Sequence, residues 1–212
     1  MDSGRLRLSA VVPAAGLSRR MGAFKPLLPL GRGTVIRSAL LSLLAGGAET
    51  VVLVTGYRAE ELEAHAAEIR PGRVIFVRNP DYARSDMLRS VQLGCRALPP
   101  CDAFFLLPGD MPAVAPATML ALGEAFSAGG ASIVFPVTEG RRRHPPLISA
   151  ALLPEILSFQ GDGGLRTLWR RHESDILAVP VEDPGAAADL DTPGDYERLK
   201  TAMKSPTKNG RS

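Results

Sequence analysis

Short apolar runs alternate along this chain with longer segments in which apolar residues recur every three or four positions. The runs are rich in Val, Ile, Leu and Phe and nearly continuous, which is typical of strands buried on both faces of a sheet. They predict strands at residues 8–13, 50–55, 73–77, 103–107, 132–137 and 176–181. The segments between them predict helices at residues 34–44, 59–69, 87–97, 116–127 and 164–172.

This alternation predicts an α/β fold, because parallel strands are joined through helices that cover both faces of their sheet. We expect one three-layer, Rossmann-like domain over residues 1–203 with a mostly parallel central sheet. Residues 140–147 are basic and contain proline, which predicts a small antiparallel excursion over one edge of the sheet. Residues 13–33 show no secondary structure of their own, and loops of that length are usually functional or disordered. Residues 204–212 predict a disordered tail.

Composition argues against several classes of protein. With 212 residues, 45% of them apolar, the chain is long enough to bury a core. No apolar run approaches the roughly 18–20 residues that span a bilayer, and the first residues lack a signal-peptide pattern, so we expect a cytoplasmic protein without a membrane partner. Cys95 and Cys101 have no metal-ligand spacing and are expected to be reduced. The arginines are scattered with few aromatic residues among them, which argues against nucleic-acid binding.

Lysine is rare in this chain. Of the 25 lysines and arginines only 4 are lysines, and three of these, Lys200, Lys204 and Lys208, lie near the C-terminus. Lys25 is therefore the only lysine in the first 199 residues. One interpretation is that position 25 requires an ammonium group. The alternative is compositional, because a chain rich in Ala, Gly, Pro and Arg is what a GC-rich genome produces.

A loop rich in glycine and cations follows the first predicted strand. Gly16 and Gly22 let the backbone approach a ligand closely and turn its N–H groups inward, and Arg20 and Lys25 supply positive charge for phosphates. The spacing matches neither a P-loop nor the GxGxxG turn of dinucleotide-binding folds. The alternative is an ordinary turn with surface cations.

Carboxylates stand in two further loops. Asp110 follows a buried strand in the turn Gly109-Asp110-Met111-Pro112, where it either holds Mg²⁺ or caps the next helix. In Asp189-Leu190-Asp191-Thr192-Pro193, Thr192 and Pro193 predict the start of the last helix, and Asp191 is either a second metal ligand or a solvent-facing acid. Ligands of parallel sheets bind at the carboxyl ends of the strands. The three loops together predict a site for a nucleoside triphosphate with Mg²⁺.

The residues of these loops resemble a known family. Ala14-Ala15-Gly16-x-Ser18-x-Arg20-Met21-Gly22-x-x-Lys25, with the turn at Asp110 and the segment at Asp191, resembles the nucleotidyltransferases of the molybdenum-cofactor type. These form the MobA-like group within the glycosyltransferase-A-like fold. The resemblance runs from Ala10 to about Leu199. It implies that fold and a Mg²⁺-dependent transfer of a nucleotide with release of pyrophosphate.

The resemblance also implies a role for each matched residue. Arg20, Lys25 and Asp110 would be catalytic, and Asp110 and Asp191 would hold Mg²⁺. The implied nucleotide-binding residues are Ala14, Ala15, Gly16, Arg20, Gly22, Lys25, Asn79, Ser90 and Gly109. The implied acceptor-binding residues are Arg143, His144 and Arg166, which lie in segments similar to those of cytidylyltransferases. For His144 alone, a packed loop histidine is an equal alternative.

Finer features of the resemblance concern the substrates. Ala14-Ala15-Gly16 is similar to the cytidylyltransferases of the group, whereas the guanylyltransferases tend to show Ala-Gly-Gly. The implied reaction moves CMP from CTP to the terminal phosphate of molybdopterin, with a molybdoenzyme or its maturation chaperone as protein partner. Asp86 and Arg143 stand where the family usually has glycine. The alternatives are GTP as donor, a sugar-phosphate or alcohol-phosphate acceptor, and a nucleotide-binding module that delivers a cofactor without catalysis.

Overall fold

A computed structural model of the protein describes residues 5–18 and 21–204. Its strands are β1 (Leu8–Pro13), β2 (Pro29–Leu30), β3 (Gly33–Thr34), β4 (Ala48–Thr55), β5 (Val74–Arg78), β6 (Ala103–Leu106), β7 (Ile133–Thr138), β8 (Arg141–Arg142), β9 (Leu147–Ser149) and β10 (Ile176–Pro180). Its helices are α1 (Val35–Ala45), α2 (Ala59–Ala67), α3 (Met87–Arg96), α4 (Pro116–Ser127), α5 (Leu153–Ser158), α6 (Leu165–Arg171) and α7 (Pro193–Lys204).

The main sheet is mostly parallel, which confirms the predicted fold class. Its strands follow the order β10-β7-β9-β6-β1-β4-β5, and β8 pairs with β7. Strand β1 lies between β4 and β6 and is parallel to both, so that Val11 lies opposite Val52 on one side and Leu106 on the other. The carboxyl ends of these three strands therefore meet at one edge of the sheet.

The predicted antiparallel excursion exists, but its predicted position is wrong. Strand β8 does form a hairpin with β7. Strand β9, however, is inserted inside the sheet, antiparallel to both β6 and β7. Because β9 runs against its neighbours, it begins at the edge where β6 and β7 end. The residues just before it, including His144, are thereby brought to the carboxyl edge of the sheet.

Helices cover both faces of the sheet and bury alternate strand residues. On one face Val12 and Phe105 pack with Leu40 of α1 and Leu122 of α4 in a cluster of buried side chains. On the other face the intervening strand residues pack with α3, α5 and α6. That second cluster includes Val11, Phe104, Val91, Ile156 and Leu168. The side-chain period of two within strands produces these two cores, and they complete the expected three layers.

The described part of the long segment 13–33 contains more regular structure than its sequence predicts. It contains a 3-10 turn over Lys25–Leu27 and the strand β2, which pairs with β3 in a small second sheet. The last helix begins as predicted: Thr192 and Asp195 exchange hydrogen bonds between side chain and backbone in a capping box. Of the predicted tail 204–212, residues 205–212 lie outside the described residues. Within residues 5–18 and 21–204, no helix is long and apolar enough to cross a membrane.

Both cysteines are free thiols, as expected. Cys95 is buried on α3, and burial raises the pKa of its thiol to about 12. A thiol with so high a pKa is a poor nucleophile at neutral pH. Cys95 is therefore a packing residue.

The contact between α3 and the sheet leaves no room for a side chain at Gly94. A Cβ atom there would lie 2.5 Å from Cγ1 of Val11 and 2.9 Å from Cγ2 of Val54. We expect Gly94→Ala to lower the free energy of unfolding by about 1–3 kcal/mol, the usual cost of overpacking a core. Urea denaturation measures this. Gly123→Ala in α4 is the control, because its nearest contact would be an ordinary 3.5 Å to Leu8, so its stability should stay level or rise.

Candidate active site

A pocket opens at the carboxyl edge of the sheet, between the loops that follow β1 and β6. Its volume is about 250 Å³. Its lining residues are Pro13, Ala14, Gly16, Ser18, Lys25, Pro26, Met87, Pro108, Gly109 and Asp110. The predicted glycine-rich loop and the predicted turn at Asp110 thus form two adjoining walls of one pocket.

The two walls touch through their backbones. The amide of Gly109 donates to the carbonyl of Pro13 at 3.1 Å. A Cβ atom at Gly109 would lie 2.8 Å from the Cβ of Ala14 and 3.3 Å from Cδ1 of Ile36. Glycine is therefore required at 109 by close approach. The small residues of both loops keep the carboxyl edge open to a ligand.

Local structure directs Lys25 into this pocket. Ser18 adopts a left-handed conformation with φ 51°, and its Oγ accepts a hydrogen bond from the amide of Lys25 at 3.2 Å. Phe24 is buried and packs edge-on against Tyr57, with ring centroids 5.4 Å apart. Phe24 thus packs away from the pocket lining, whereas the next side chain, Lys25, lines the pocket. Gly22, with φ 67°, provides the turn before it.

The ammonium of Lys25 lies between two carboxylates. Its Nζ is 3.1 Å from Oδ2 of Asp110 and 2.9 Å from Oδ1 of Asp191, and its side chain is only 8% exposed. Burial by itself lowers the pKa of Lys25. The hydrogen bond to Asp191 and the charge of Asp110 outweigh burial, so the pKa of Lys25 is raised above its usual value. Lys25 is thus held in its charged form.

Asp110 and Asp191 together have the chemistry of a magnesium site. Both carboxylates approach the same Nζ atom, so the two acids lie within reach of one cation. Mg²⁺ in phosphate-transferring sites is usually held by one or two carboxylates, with waters and substrate phosphates as the other ligands. In the described part of the chain, no group of three or more His, Cys, Asp or Glu side chains is arranged to hold a metal alone. The donor set fits a metal that arrives with a nucleotide.

A second pocket of about 200 Å³ adjoins the first. It is lined by Pro13, Ala15, Gly16, Tyr82, Ser85, Asp86, Met87 and Ser90, so that the two pockets share Pro13, Gly16 and Met87. Ala15 and Ser90, both predicted to bind nucleotide, face this second pocket. Together the two pockets form a continuous groove along the loop after β1.

Asn79 lies behind the groove and lines neither pocket. Its side chain is buried and donates to Oγ of Ser85 and of Ser90, each at 3.0 Å. Its Oδ1 accepts from the amide of Asp81. In the structure Asn79 thus holds the turn that shapes the second pocket. Direct contact of Asn79 with a nucleotide stays a prediction.

Asp86 caps the helix that borders the groove. Its Oδ1 accepts a hydrogen bond from the amide of Arg89 at 3.0 Å at the start of α3. A carboxylate at this position offsets the partial positive charge of the helix N-terminus. The helix N-terminus at this end of the groove is thus already paired with a carboxylate of its own chain.

Comparison with known proteins agrees with this geometry. Residues 10–176, well over half of the chain, match the family model of the MobA-like NTP transferase domain. The chain belongs to the MobA-like NTP transferases. The predicted family is thereby confirmed, and the protein is a nucleotidyltransferase. The match includes the loops at Lys25 and Asp110 and ends before Asp191, and the roles of all three residues stay predictions.

Two relatives of this MobA-like chain show how far the family extends. The molybdenum cofactor cytidylyltransferase of Escherichia coli is 30% identical over 193 residues, which cover 91% of this chain and 95% of that protein. The nicotine blue oxidoreductase of Paenarthrobacter nicotinovorans is also 30% identical, over 200 residues that cover 91% of this chain and 96% of the relative. Overall identity therefore shows the family, and the substrate has to be argued from the site.

Solved structures confirm the expected glycosyltransferase-A-like fold. A nucleotidyl transferase from Methanothermobacter superposes with a TM-score of 0.80 and 29% identity, covering 95% of this chain and 99% of that one. A Mycobacterium tuberculosis H37Rv protein, solved as a complex with manganese, superposes with a TM-score of 0.72 and 27% identity, covering 93% and 100%.

None of the three acceptor-binding residues predicted for this MobA-like protein, Arg143, His144 and Arg166, lines either of the two pockets. His144 is partly buried. Burial lowers its pKa, and the charge of Asp189 acts in the opposite direction. Its Nδ1 and the Nε of Arg143 are buried without a hydrogen-bond partner in the described structure. Arg166, in the first turn of α6, is exposed and lines neither pocket.

Two residues of this MobA-like chain carry no functional signal in the sequence, Met87 and Asp183. Met87, which lines both pockets and is 57% exposed, carried no signal because it reads as a helix residue. Asp183 is a buried acid whose carboxylate accepts hydrogen bonds from the amides of Ala115 and Gly185 and from Oγ1 of Thr118. In the sequence, the pair Asp183-Pro184 predicts only a turn. Arg20, predicted to bind phosphates, lies outside the described residues.

Proposed function

We propose that this protein transfers CMP from CTP to the terminal phosphate of molybdopterin and releases pyrophosphate. The observation that carries the proposal is the buried Lys25 ammonium between Asp110 and Asp191, at the base of a groove that begins with Ala14-Ala15-Gly16. A triphosphate needs this combination of a cation and metal-binding carboxylates. The relative from Escherichia coli, named as a cytidylyltransferase of the same cofactor, supports the choice of donor and acceptor.

The acceptor needs little activation in this reaction. A terminal phosphate is already ionised at neutral pH, so one of its oxygens can attack the α-phosphorus of CTP in line without a strong general base. The bond from the α-phosphorus to the bridging oxygen then breaks, and pyrophosphate leaves with that electron pair. The contribution of the protein is positioning and neutralisation of charge.

Asp110 and Asp191 would hold Mg²⁺ in this scheme. Bound there, the metal would act as a Lewis acid on the phosphate oxygens. Manganese in the related Mycobacterium tuberculosis structure supports a divalent metal in this fold. Lys25 would stabilise the charge that develops on the leaving pyrophosphate, and Arg20 would assist it.

The acceptor would enter from the side of His144. The unpaired Nδ1 of His144 and Nε of Arg143 are groups that an anionic phosphate could use. Arg166 would contribute from the exposed start of α6. A molybdoenzyme or its maturation chaperone would receive the product, and the reaction would take place in the cytoplasm, where CTP is available.

A nucleotide screen with the purified protein tests the donor. We expect CTP with Mg²⁺ to raise the Tm more than GTP, UTP or ATP does, because a ligand that binds only the folded state stabilises it, by about 2.7 kcal/mol at 100 times its Kd. Pyrophosphate release is then measured with CTP and molybdopterin. Selective stabilisation by GTP would reassign the donor, and release only with a sugar 1-phosphate would reassign the acceptor. Binding of CTP without release under any condition would indicate a carrier module.

A further inference from the structure

Asp183 is a buried carboxylate in the connection between β10 and α7. It is 5% exposed and accepts three hydrogen bonds. Its Oδ2 accepts from the amide of Ala115 at 2.9 Å and from Oγ1 of Thr118 at 2.6 Å, and its Oδ1 accepts from the amide of Gly185 at 2.9 Å. All three partners are hydrogen-bond donors, so both oxygens of the buried carboxylate are paired, and the carboxylate holds two chain segments together.

Two of these bonds hold the first turn of a helix from another part of the chain: one caps its backbone at Ala115, and the other binds the side-chain hydroxyl of Thr118. Helix α4 begins after Ala115, whose side chain cannot cap it. The first amides of a helix lack intrahelical partners and attract negative charge. Asp183, 68 residues away from Ala115, supplies both the acceptor and the charge. The start of α4 is therefore fixed to the connection that leads to Asp191.

The backbones of the two segments are in direct contact beside this carboxylate. A Cβ atom at Gly185 would lie only 1.9 Å from the carbonyl oxygen of Ala113. Next to it, the amide of His144 donates to the carbonyl of Ala186 at 3.4 Å. Asp183 and Gly185 thus join the connection before α7 to the loop after β6, and Ala186 joins the same connection to the segment before β9.

We propose that Asp183 is a positioning residue that sets the separation of the Asp110 and Asp191 carboxylates, and thereby the affinity for the metal–nucleotide complex. Asp110 lies five residues before Ala115, and Asp191 lies eight residues after Asp183. These carboxylates come from different elements, yet both reach one atom, Nζ of Lys25. The junction at Asp183 connects the two elements on which these carboxylates stand. This inference rests on the proposed function, because it assumes that the two carboxylates bind a metal.

Two variants test the proposal by independent routes. Asp183→Asn keeps the size of the side chain but offers only one acceptor oxygen to three donors. Gly185→Ala keeps Asp183 and separates the same two segments by steric contact. The Kd of the complex of Mn²⁺ and CTP is measured by titrating it with protein and recording the relaxation rate of water protons. The KM for CTP and the kcat are measured at several concentrations of Mg²⁺. We expect both variants to bind Mn²⁺ with CTP roughly 10–100-fold more weakly, the usual effect of losing a residue that orients the metal ligands.

A merely structural role for Asp183 would give a different result. Gln92→Leu is the matched control, because the buried Gln92 also ties separate segments by donating to the carbonyls of Ile156 and Phe159, away from the pocket. We expect it to lower the Tm without changing Mn²⁺ binding or the Mg²⁺ dependence. Wild-type affinity for Mn²⁺ with CTP in both junction variants, measured below their Tm, would overturn the inference. Absence of pyrophosphate release by the wild-type protein would instead overturn the proposed function.

Discussion

Asp110→Asn should lower nucleotidyl transfer by a factor on the order of 10³ and leave the fold intact. The substitution conserves shape and removes one of the two charges that face Lys25. Loss of a single charge-stabilising group in an active site typically costs 10²–10³-fold in kcat, and a weakened metal site adds to that loss. The side chain of Asp110 is 29% exposed, so its removal should alter stability little. Pyrophosphate release and the Tm are the two measurements.

Asp102→Asn is the matched control for this prediction. Asp102 lies just before β6, at the opposite end of the strand that leads to Asp110, and it accepts from the amide of Arg7 at 2.8 Å. It is a partly exposed carboxylate with a cationic partner, as Asp110 is, but it is remote from the pocket. We expect Asp102→Asn to keep wild-type turnover. Equal turnover in the wild-type and Asp110→Asn proteins would remove the metal-binding role of Asp110.

The regular elements could be predicted from sequence because each carries its own local pattern. The strand at Ala103–Leu106 is a continuous apolar run, and the helix at Met87–Arg96 has helical spacing. Strand β9 could not be located in the same way. It has only three residues, and its place between β6 and β7 is decided by pairing with chain segments that are distant in sequence. Short strands set by long-range contacts leave little local signal.

Some residues of the candidate site could likewise be predicted from the sequence, and others could not. Lys25, Asp110 and Asp191 could be brought together from sequence because loops after parallel strands meet at one edge. The same argument could not find Asp183, because its partners at Ala115 and Thr118 follow from how two loops pack. Nor could it show that Asn79 is turned inward to support Ser85 and Ser90. The meeting of the three loops follows from the topology of the sheet, whereas the contacts of Asp183 and Asn79 that support these loops follow from side-chain packing.

Arginine should not replace Lys25. The ammonium is buried, and a single compact group meets Asp110 at 3.1 Å and Asp191 at 2.9 Å. A guanidinium is larger and planar, and its hydrogen bonds point along fixed directions, so it cannot take the same position between two carboxylates and a triphosphate. We expect Lys25→Arg to lower kcat/KM for CTP by about 10²–10³-fold, although the charge is kept. Pyrophosphate release at varied CTP measures this.

A second variant at position 25 separates charge from shape, and a surface lysine provides the control. Lys25→Met removes the cation and leaves Asp110 and Asp191 facing each other without it, so transfer should fall at least as far as in Lys25→Arg. Lys200→Arg is the control, because Lys200 pairs with Glu197 at 3.0 Å on the surface of α7 and its exchange should leave turnover unchanged. If Lys25→Arg instead kept wild-type turnover, the presence of a single lysine among the many arginines of the first 199 residues would reflect composition alone. Reduced turnover in both Lys25 variants, with normal turnover in Lys200→Arg, would show that position 25 requires an ammonium.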